Sequence, residues 1–202
     1  MKKTALLTVI IALLIMILSI NTLAASTHTV VRGDTMWRIA VKHEVGLGEI
    51  VSANPQITNP ALIYPGDVIN IPSVDSSVLS YEEEVVRLVN VERSKNGLSP
   101  LKQDWQLSRV ARYKSEDMRD RGYFSHTSPT YGSPFQMMKS FGISYKSAGE
   151  NIARGYKTPS AVVSGWMNSS GHRANILNPS FTHIGVGFVA DGHYWTQMFI
   201  SK

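Results

Sequence analysis

The 202-residue chain contains no cysteine. A disulfide framework is therefore excluded, and whatever fold forms must be held by its apolar core alone. Charge is also sparse: charged residues make up 17% of the chain, with a formal net charge of +5. Two of those positive charges, Lys2 and Lys3, sit at the N-terminus, and the rest are scattered. No arginine-rich stripe or nucleic-acid motif is present, so nucleic acid is not expected as a partner. A modest positive balance favours an anionic wall or membrane surface only weakly. No Gly-x-Ser-x-Gly pattern surrounds Ser125 or Ser169, which argues against a serine hydrolase.

What the chain does have is 43% hydrophobic content, enough for one medium domain and a small one. Lys2-Lys3, an apolar run from Ala5 to Ile20 broken by Thr8 and Ser19, and Ala24-Ala25 form the basic, apolar and small-residue regions of a secretory leader over residues 1–25. The rival reading is an uncleaved anchor, because the run is near the lower length limit for a membrane span. The alanines favour cleavage, and no stable transmembrane anchor is expected. Export without disulfides suits a bacterial cell envelope better than an animal secretion.

Residues 26–73 read as strand, helix, helix, strand. Thr29-Val30-Val31 is a strand signal, and Arg32-Gly33-Asp34-Thr35 supplies a turn and a helix cap. Met36, Ile39 and Ala40 share one helical face, as do Leu47, Ile50 and Val51. Asn54-Pro55 stops the second helix, and Pro65-Gly66-Asp67 turns into the strand Val68 to Ile71. The segments His28 to Ala40 and Asn59 to Pro72 resemble the two ends of a LysM module, in order. That resemblance implies binding of N-acetylglucosamine-containing glycan, peptidoglycan or chitin, between two loops. The matching positions are Gly33, Asp34, Thr35 and Met36 on one loop and Ile57, Asn59, Leu62 and Ile63 on the other. Trp37 and Ile39 are expected in the core, and a single module is expected to bind with modest affinity.

Residues 74–79 read as a polar, flexible linker. The second domain, 80–202, starts with a capping-box pattern, Ser80 with Glu83, and a helix stopping at Asn96-Gly97. Further helices are predicted from Trp105 to Arg121, with Lys114 snorkelling from its apolar face, from Ser133-Pro134 to Gly142, and after Thr158-Pro159. Alternation in Ile184-Val186-Phe188 and Tyr194 to Ile200, around Asp191-Gly192, predicts a hairpin with at least one of Tyr194 and Trp195 in the core. The class is α+β: a small βααβ module, then helices on both sides of a mostly antiparallel sheet, an αβα sandwich.

One carboxylate stands out: Glu150, in Ser147-Ala148-Gly149-Glu150-Asn151-Ile152, set among small and apolar residues between His126 and His172. A carboxylate so placed loses solvation unless a proton, cation or donor compensates, so these three are the candidate site. His183 and His193 are weaker candidates, one beside a strand and the other after a turn. Phe124-Ser125-His126, Gly149-Glu150-Asn151, Trp166 followed by Gly171-His172-Arg173, Ile184-Gly185-Val186-Gly187 and Tyr194-Trp195-Thr196-Gln197 resemble the CAP family in a cysteine-free bacterial form. The resemblance implies a cleft of two His and two Glu that can hold a divalent cation. His126, Glu150 and His172 match three members, and Ser169 stands where the second Glu is expected.

Two function classes follow. One is a secreted protein of the cell wall or spore envelope of a Gram-positive bacterium. It would bind glycan through LysM and present a CAP cleft to a small apolar ligand or a wall component. The other is a hydrolase of wall peptide or glycan in which a cation such as zinc, on His126, Glu150 and His172, activates water. The missing carboxylate favours binding, with no cofactor required. Glu150 is read as a hydrogen-bond organiser whose pKa falls if cationic partners dominate and rises if desolvation does.

Overall fold

The computed structural model describes residues 26–202. The secretory leader expected over residues 1–25 lies outside the described residues. The first module runs β1 (Ser26–Thr29), α1 (Met36–Lys42), α2 (Leu47–Ser52) and β2 (Val68–Ile71). β1 and β2 pair antiparallel, with Ser26 opposite Ile71. Val30, Met36, Ile39, Ala40, Ile50, Ile69 and Ile71 form its core, closed by Val45, Ile57 and Ile63. Trp37 is not in this core: the residue is 60% exposed. Met36, Ile39 and Ala40 occupy the inward stripe of a short helix, and the position after Met36 turns about a quarter of the way round the axis. Buried Asn54 ties helix to strand, donating to the Ile50 and Asn70 carbonyls at 2.7 and 2.8 Å and accepting from the Asn70 amide at 2.7 Å.

The first helix after the LysM module begins earlier than the Ser80 capping pattern suggests. α3 (Ser76–Lys95) is capped by Asp75, whose side chain accepts from the Ser77 amide at 2.7 Å, so Ser80 and Glu83 lie inside the helix. An Asp offering an acceptor to unpaired first-turn amides starts the helix upstream. The expected linker shrinks to Pro72–Asp75. Then follow β3 (Lys102–Gln103), α4 (Trp105–Asp120), α5 (Pro134–Ser140), β4 (Ser147–Arg154), α6 (Pro159–Met167), α7 (Ser170–Ile176), β5 (His183–Val189) and β6 (Tyr194–Ser201).

The sheet order is β3-β5-β6-β4, parallel only between β3 and β5. α4 and α5 cover one face through Leu107, Val110, Ala111, Met137 and Met138, against Met198 and Ile200. α3, α6 and α7 cover the other with Val85, Val89, Val162, Trp166 and Ile176, against Ile184, Val186, Trp195 and Phe199. The sandwich is closed on both sides, and every residue of β6, Tyr194 and Trp195 included, is buried. Gly185 and Gly187 let α4 lie against the sheet. A Cβ on them would come within 2.3 Å of the Leu107 carbonyl carbon and 2.1 Å of the Arg112 amide nitrogen. The hairpin turns over Ala190–His193, closed by the His193 amide on the Ala190 carbonyl at 3.1 Å.

Candidate functional site

β4 is an edge strand, and an edge needs its outward backbone groups covered. Side chains do this here. The Glu150 carbonyl accepts from Asn175 Nδ2 at 3.1 Å, and the Ile152 carbonyl accepts from Trp166 Nε1 at 3.3 Å. Asn151, fully buried, donates to Gln197 Oε1 at 2.9 Å and to the His172 carbonyl at 3.1 Å, and accepts from Asn175 Nδ2 at 2.9 Å. A Cβ on Gly149 would stand 3.0 Å from the Phe181 ring. The Gly149-Glu150-Asn151 segment is thus fastened to α6 and α7 on one face. By alternation, the Glu150 side chain points to the α4 face.

There Glu150 Oε1 lies 2.7 Å from His126 Nδ1, with the carboxylate 1% exposed and the imidazole 53% exposed. Oε2 is buried with no hydrogen-bond partner among the described residues. Burial pushes the Glu150 carboxyl above the ordinary carboxylate range, outweighing the His126 hydrogen bond and the charges of Lys114 and His126. The hydrogen bond from Glu150 in turn raises His126, against its own desolvation. Of the two directions open to Glu150, the geometry produces the raised one: one side-chain donor serves two buried oxygens, and desolvation wins.

Lys114 is a residue of this site that sequence reasoning misplaced. Its amine does not snorkel; the side chain is fully buried. Nζ donates to the His126 carbonyl at 2.9 Å and to Tyr123 Oη at 3.1 Å, and lies 4.9 Å from the Tyr123 ring centroid. Burial lowers its pKa, while Glu150 and Asp117 work the other way. One turn on, Asp117 accepts from Ser128 Oγ at 2.7 Å, Thr130 Oγ1 at 2.5 Å, Tyr123 Oη at 2.5 Å and Arg121 Nε at 3.1 Å. Burial opposes its charge, but the Thr130, Tyr123 and Ser128 hydroxyls and Arg121 outweigh it and hold the carboxyl below its usual range. The Tyr123–Thr130 loop carrying His126 is therefore pinned to α4 from both ends. An ionisable residue on an apolar helical stripe was the available signal for Lys114, and Asp117 between Lys114 and Met118 carried the same one.

His172 lies on α7, which packs on the face of the sheet opposite α4. It is half-buried, and burial followed by the charge of His126 lowers its pKa. Its backbone carbonyl, bonded to Asn151, is its tie to the strand. Among the described residues no three His, Asp or Glu side chains converge as a metal-ligand group. Two imidazoles and a carboxylate are the donor types zinc takes. A cation here would meet Glu150 already engaged by His126 and flanked by the Lys114 ammonium. Ser169 caps α7 by position, without a side-chain cap bond. His183 opens β5, between β3 and β6, and is bonded through Nδ1 to Thr182 Oγ1 at 2.8 Å, and His193 closes the β5–β6 turn with φ of 51°. Neither joins the cleft.

In the first module the two expected loops share a floor, since Ile57 and Ile63 pack on the cluster that contains Met36. Met36 is 3% exposed, so its side chain belongs to that floor and is withdrawn from the surface role expected for it. Asp34 and Thr35 hold the first loop: Asp34 accepts from the Val31 amide at 3.0 Å and from His28 Nε2 at 2.8 Å, and Thr35 caps α1 through the Arg38 amide at 3.1 Å. Asn59 Oδ1 accepts from the Ala61 amide at 3.1 Å, Leu62 is 53% exposed, and Gly33 is exposed.

Comparison with known proteins follows this division. Residues 28–72 match the LysM domain model, and residues 86–200 match the model described as CAP, cysteine-rich secretory protein family. An uncharacterized Bacillus subtilis protein, YkwD, is 67% identical over 130 residues, covering 64% of this chain and 51% of the relative. The spore coat assembly protein ExsA of Bacillus cereus is 46% identical over 46 residues, covering 23% of this chain and 7% of that one. The crystal structure of an extracellular protein with an SCP domain from Bacillus anthracis superposes with a TM-score of 0.60 at 35% identity, covering 68% of this chain and 47% of that one. The chain spans about half the length of the curated relative it matches over 130 residues. With most of residues 80 to 202 inside the matched span and the αβα sandwich in place, the chain belongs to the cysteine-rich secretory protein (CAP) family, with a LysM module ahead of the family domain.

Proposed function

We propose that this is a secreted, envelope-associated protein that holds N-acetylglucosamine-containing glycan through the loops Gly33–Thr35 and Ile57–Ile63. Its CAP cleft then binds a wall component or a small apolar ligand without chemistry. The observation that carries the glycan reading is the shared floor beneath the two loops, with Leu62 standing 53% exposed above it. Backbone amides and carbonyls at such a rim can read acetamido groups while an apolar side chain covers a sugar face. The matches to a LysM domain and to a spore coat assembly protein support a wall or spore-envelope setting.

For the cleft, binding is favoured over hydrolysis because Glu150 is engaged by His126 and the Lys114 charge lies beside it. His126, Glu150 and His172 would hold a zinc ion if one bound, and it would supply Lewis acidity and an activated water there. The chain's own groups do something else: Lys114 fixes the His126 backbone, and Glu150 orients the His126 ring. The glycan reading is tested by sedimentation of the full chain with insoluble peptidoglycan. The chain should pellet, and Leu62→Asp, at an exposed position, should reduce the bound fraction at least about fivefold, of the order of one lost hot-spot contact. Wild-type chain left in the supernatant beside a sedimenting LysM control overturns it.

A further inference from the structure

Each module has its own apolar core, and among the described residues no cluster of buried residues is shared between them. What joins them is one polar node. Glu49, on α2, accepts from Arg109 Nε at 2.6 Å and from Tyr113 Oη at 2.5 Å, both on α4, through the same oxygen Oε1. Its other oxygen accepts from the Gly46 amide at 2.9 Å, which starts its own helix. Arg109 lies over the Tyr113 and Phe141 rings, 5.7 and 5.4 Å from their centroids. Gly46 is pressed so closely on the guanidinium that a Cβ would come within 2.4 Å of Arg109 Nε. An exposed salt bridge contributes little, but a partly desolvated carboxylate with three charge-assisted donors and a stacked guanidinium is a different object. Burial works against the Glu49 charge, and Tyr113, Gly46 and Arg109 outweigh it.

We infer that Glu49, Arg109 and Tyr113 form a latch that docks the LysM module onto α4 of the CAP domain, so that the two modules move as one body. The connection is only Pro72–Asp75, and so short a tether keeps the node's partners at high effective concentration. Residues of both modules line two cavities of about 240 Å³ each beside the node, one reaching Glu116 and the other Trp105. None of the glycan-loop residues and none of His126, Glu150 and His172 lines either cavity. The docked face is therefore separate from both functional faces. A LysM module seated on glycan would hold the CAP cleft at a set orientation to the wall rather than on a swivel. That consequence rests on the glycan reading, whereas the docking does not.

The test is 15N relaxation on the full chain. Wild type should give one rotational correlation time for amides of both modules. Glu49→Ala should split it, with the LysM amides tumbling at least about twofold faster than those of the CAP domain, as expected for tethered bodies. The exchanged pair Glu49→Arg with Arg109→Glu should draw the two times together again. Two distinct times in wild type, or an unsplit time in Glu49→Ala with both modules folded, overturns the latch. Glu49→Ala should still pellet with peptidoglycan, since Glu49 is outside the glycan loops. A latch variant that tumbles freely and pellets leaves the glycan reading intact. A wild-type chain with one correlation time that fails to pellet overturns the glycan reading and not the latch.

Discussion

Asp117 and Glu150 are both buried carboxylates whose charges act on the Lys114 amine, yet their pKa values move in opposite directions. Burial raises both. Asp117 has three hydroxyl donors and Arg121 to offset it, while Glu150 has one imidazole and an oxygen with no partner. The difference teaches that the sign follows the balance of donors against desolvation: Asp117 has more donors and lies less deep, and Glu150 has fewer and lies deeper. It also divides labour: the Asp117 end anchors the loop, and the Glu150 end keeps an under-satisfied group at the cleft.

The hardest way to break this contrast is Asp117→Ala, which strands three hydroxyls and frees the loop that presents His126. The expected loss is about 3 to 5 kcal/mol, the range for removing one partner of a buried charged network. Denaturant unfolding measures it, and a loss below about 1 kcal/mol would show that the loop is held by something else.

Lys114→Met should cost about 2 to 3 kcal/mol, since it removes a charge-assisted bond to the His126 carbonyl and leaves Glu150 without its nearest buried cation. The cost should shrink below the Glu150 pKa, where the carboxyl is neutral. Equal losses at pH 4 and pH 8 would mean the amine serves Tyr123 and the loop alone.

Glu150→Gln should cost least, about 1 kcal/mol, because desolvation already offsets much of what the His126 bond contributes. Its effect on pH dependence is sharper. The folded values of Glu150 and His126 are both raised, from ordinary values of 4.5 and 6.5, so the folded state holds these protons more tightly than the unfolded one. Their stabilisation is complete below those ordinary values and is lost as pH rises through the folded ones. Asp117 is the reverse: its stabilisation is present above its ordinary value of 3.8 and is lost as pH falls through the depressed one. Stability curves of wild type and Glu150→Gln should therefore diverge in slope from about pH 4.5 upward through the raised His126 value and keep the same acid limb. A variant that keeps the wild-type slope would put the proton elsewhere than on the Glu150–His126 pair.

Much of the fold is written in local pattern. Helical spacing from Trp105, the Pro134 and Pro159 starts and the Asp191-Gly192 turn each appear where periodicity and turn chemistry put them, because those signals act over a few residues. Glu150 and His126 also meet as their motifs suggest. What local pattern misjudged has one cause: it counts neighbours along the chain. Trp37 was assigned to a core that a seven-residue helix had already filled from Met36, Ile39 and Ala40. Ser80 made a plausible cap, but Asp75 was earlier and in place.

The sequence by itself determined the two-module order, the α+β class and the residue types of the three candidate site side chains, since composition, periodicity and motif order are properties of the chain alone. Tertiary structure decided that Lys114 is buried against the His126 loop, that Glu150 lacks the donors to lower its pKa, and that Glu49 reaches Arg109 and Tyr113 on α4. Burial and donor count at each of these groups depend on residues dozens of positions away in the chain, brought close only when the layers pack.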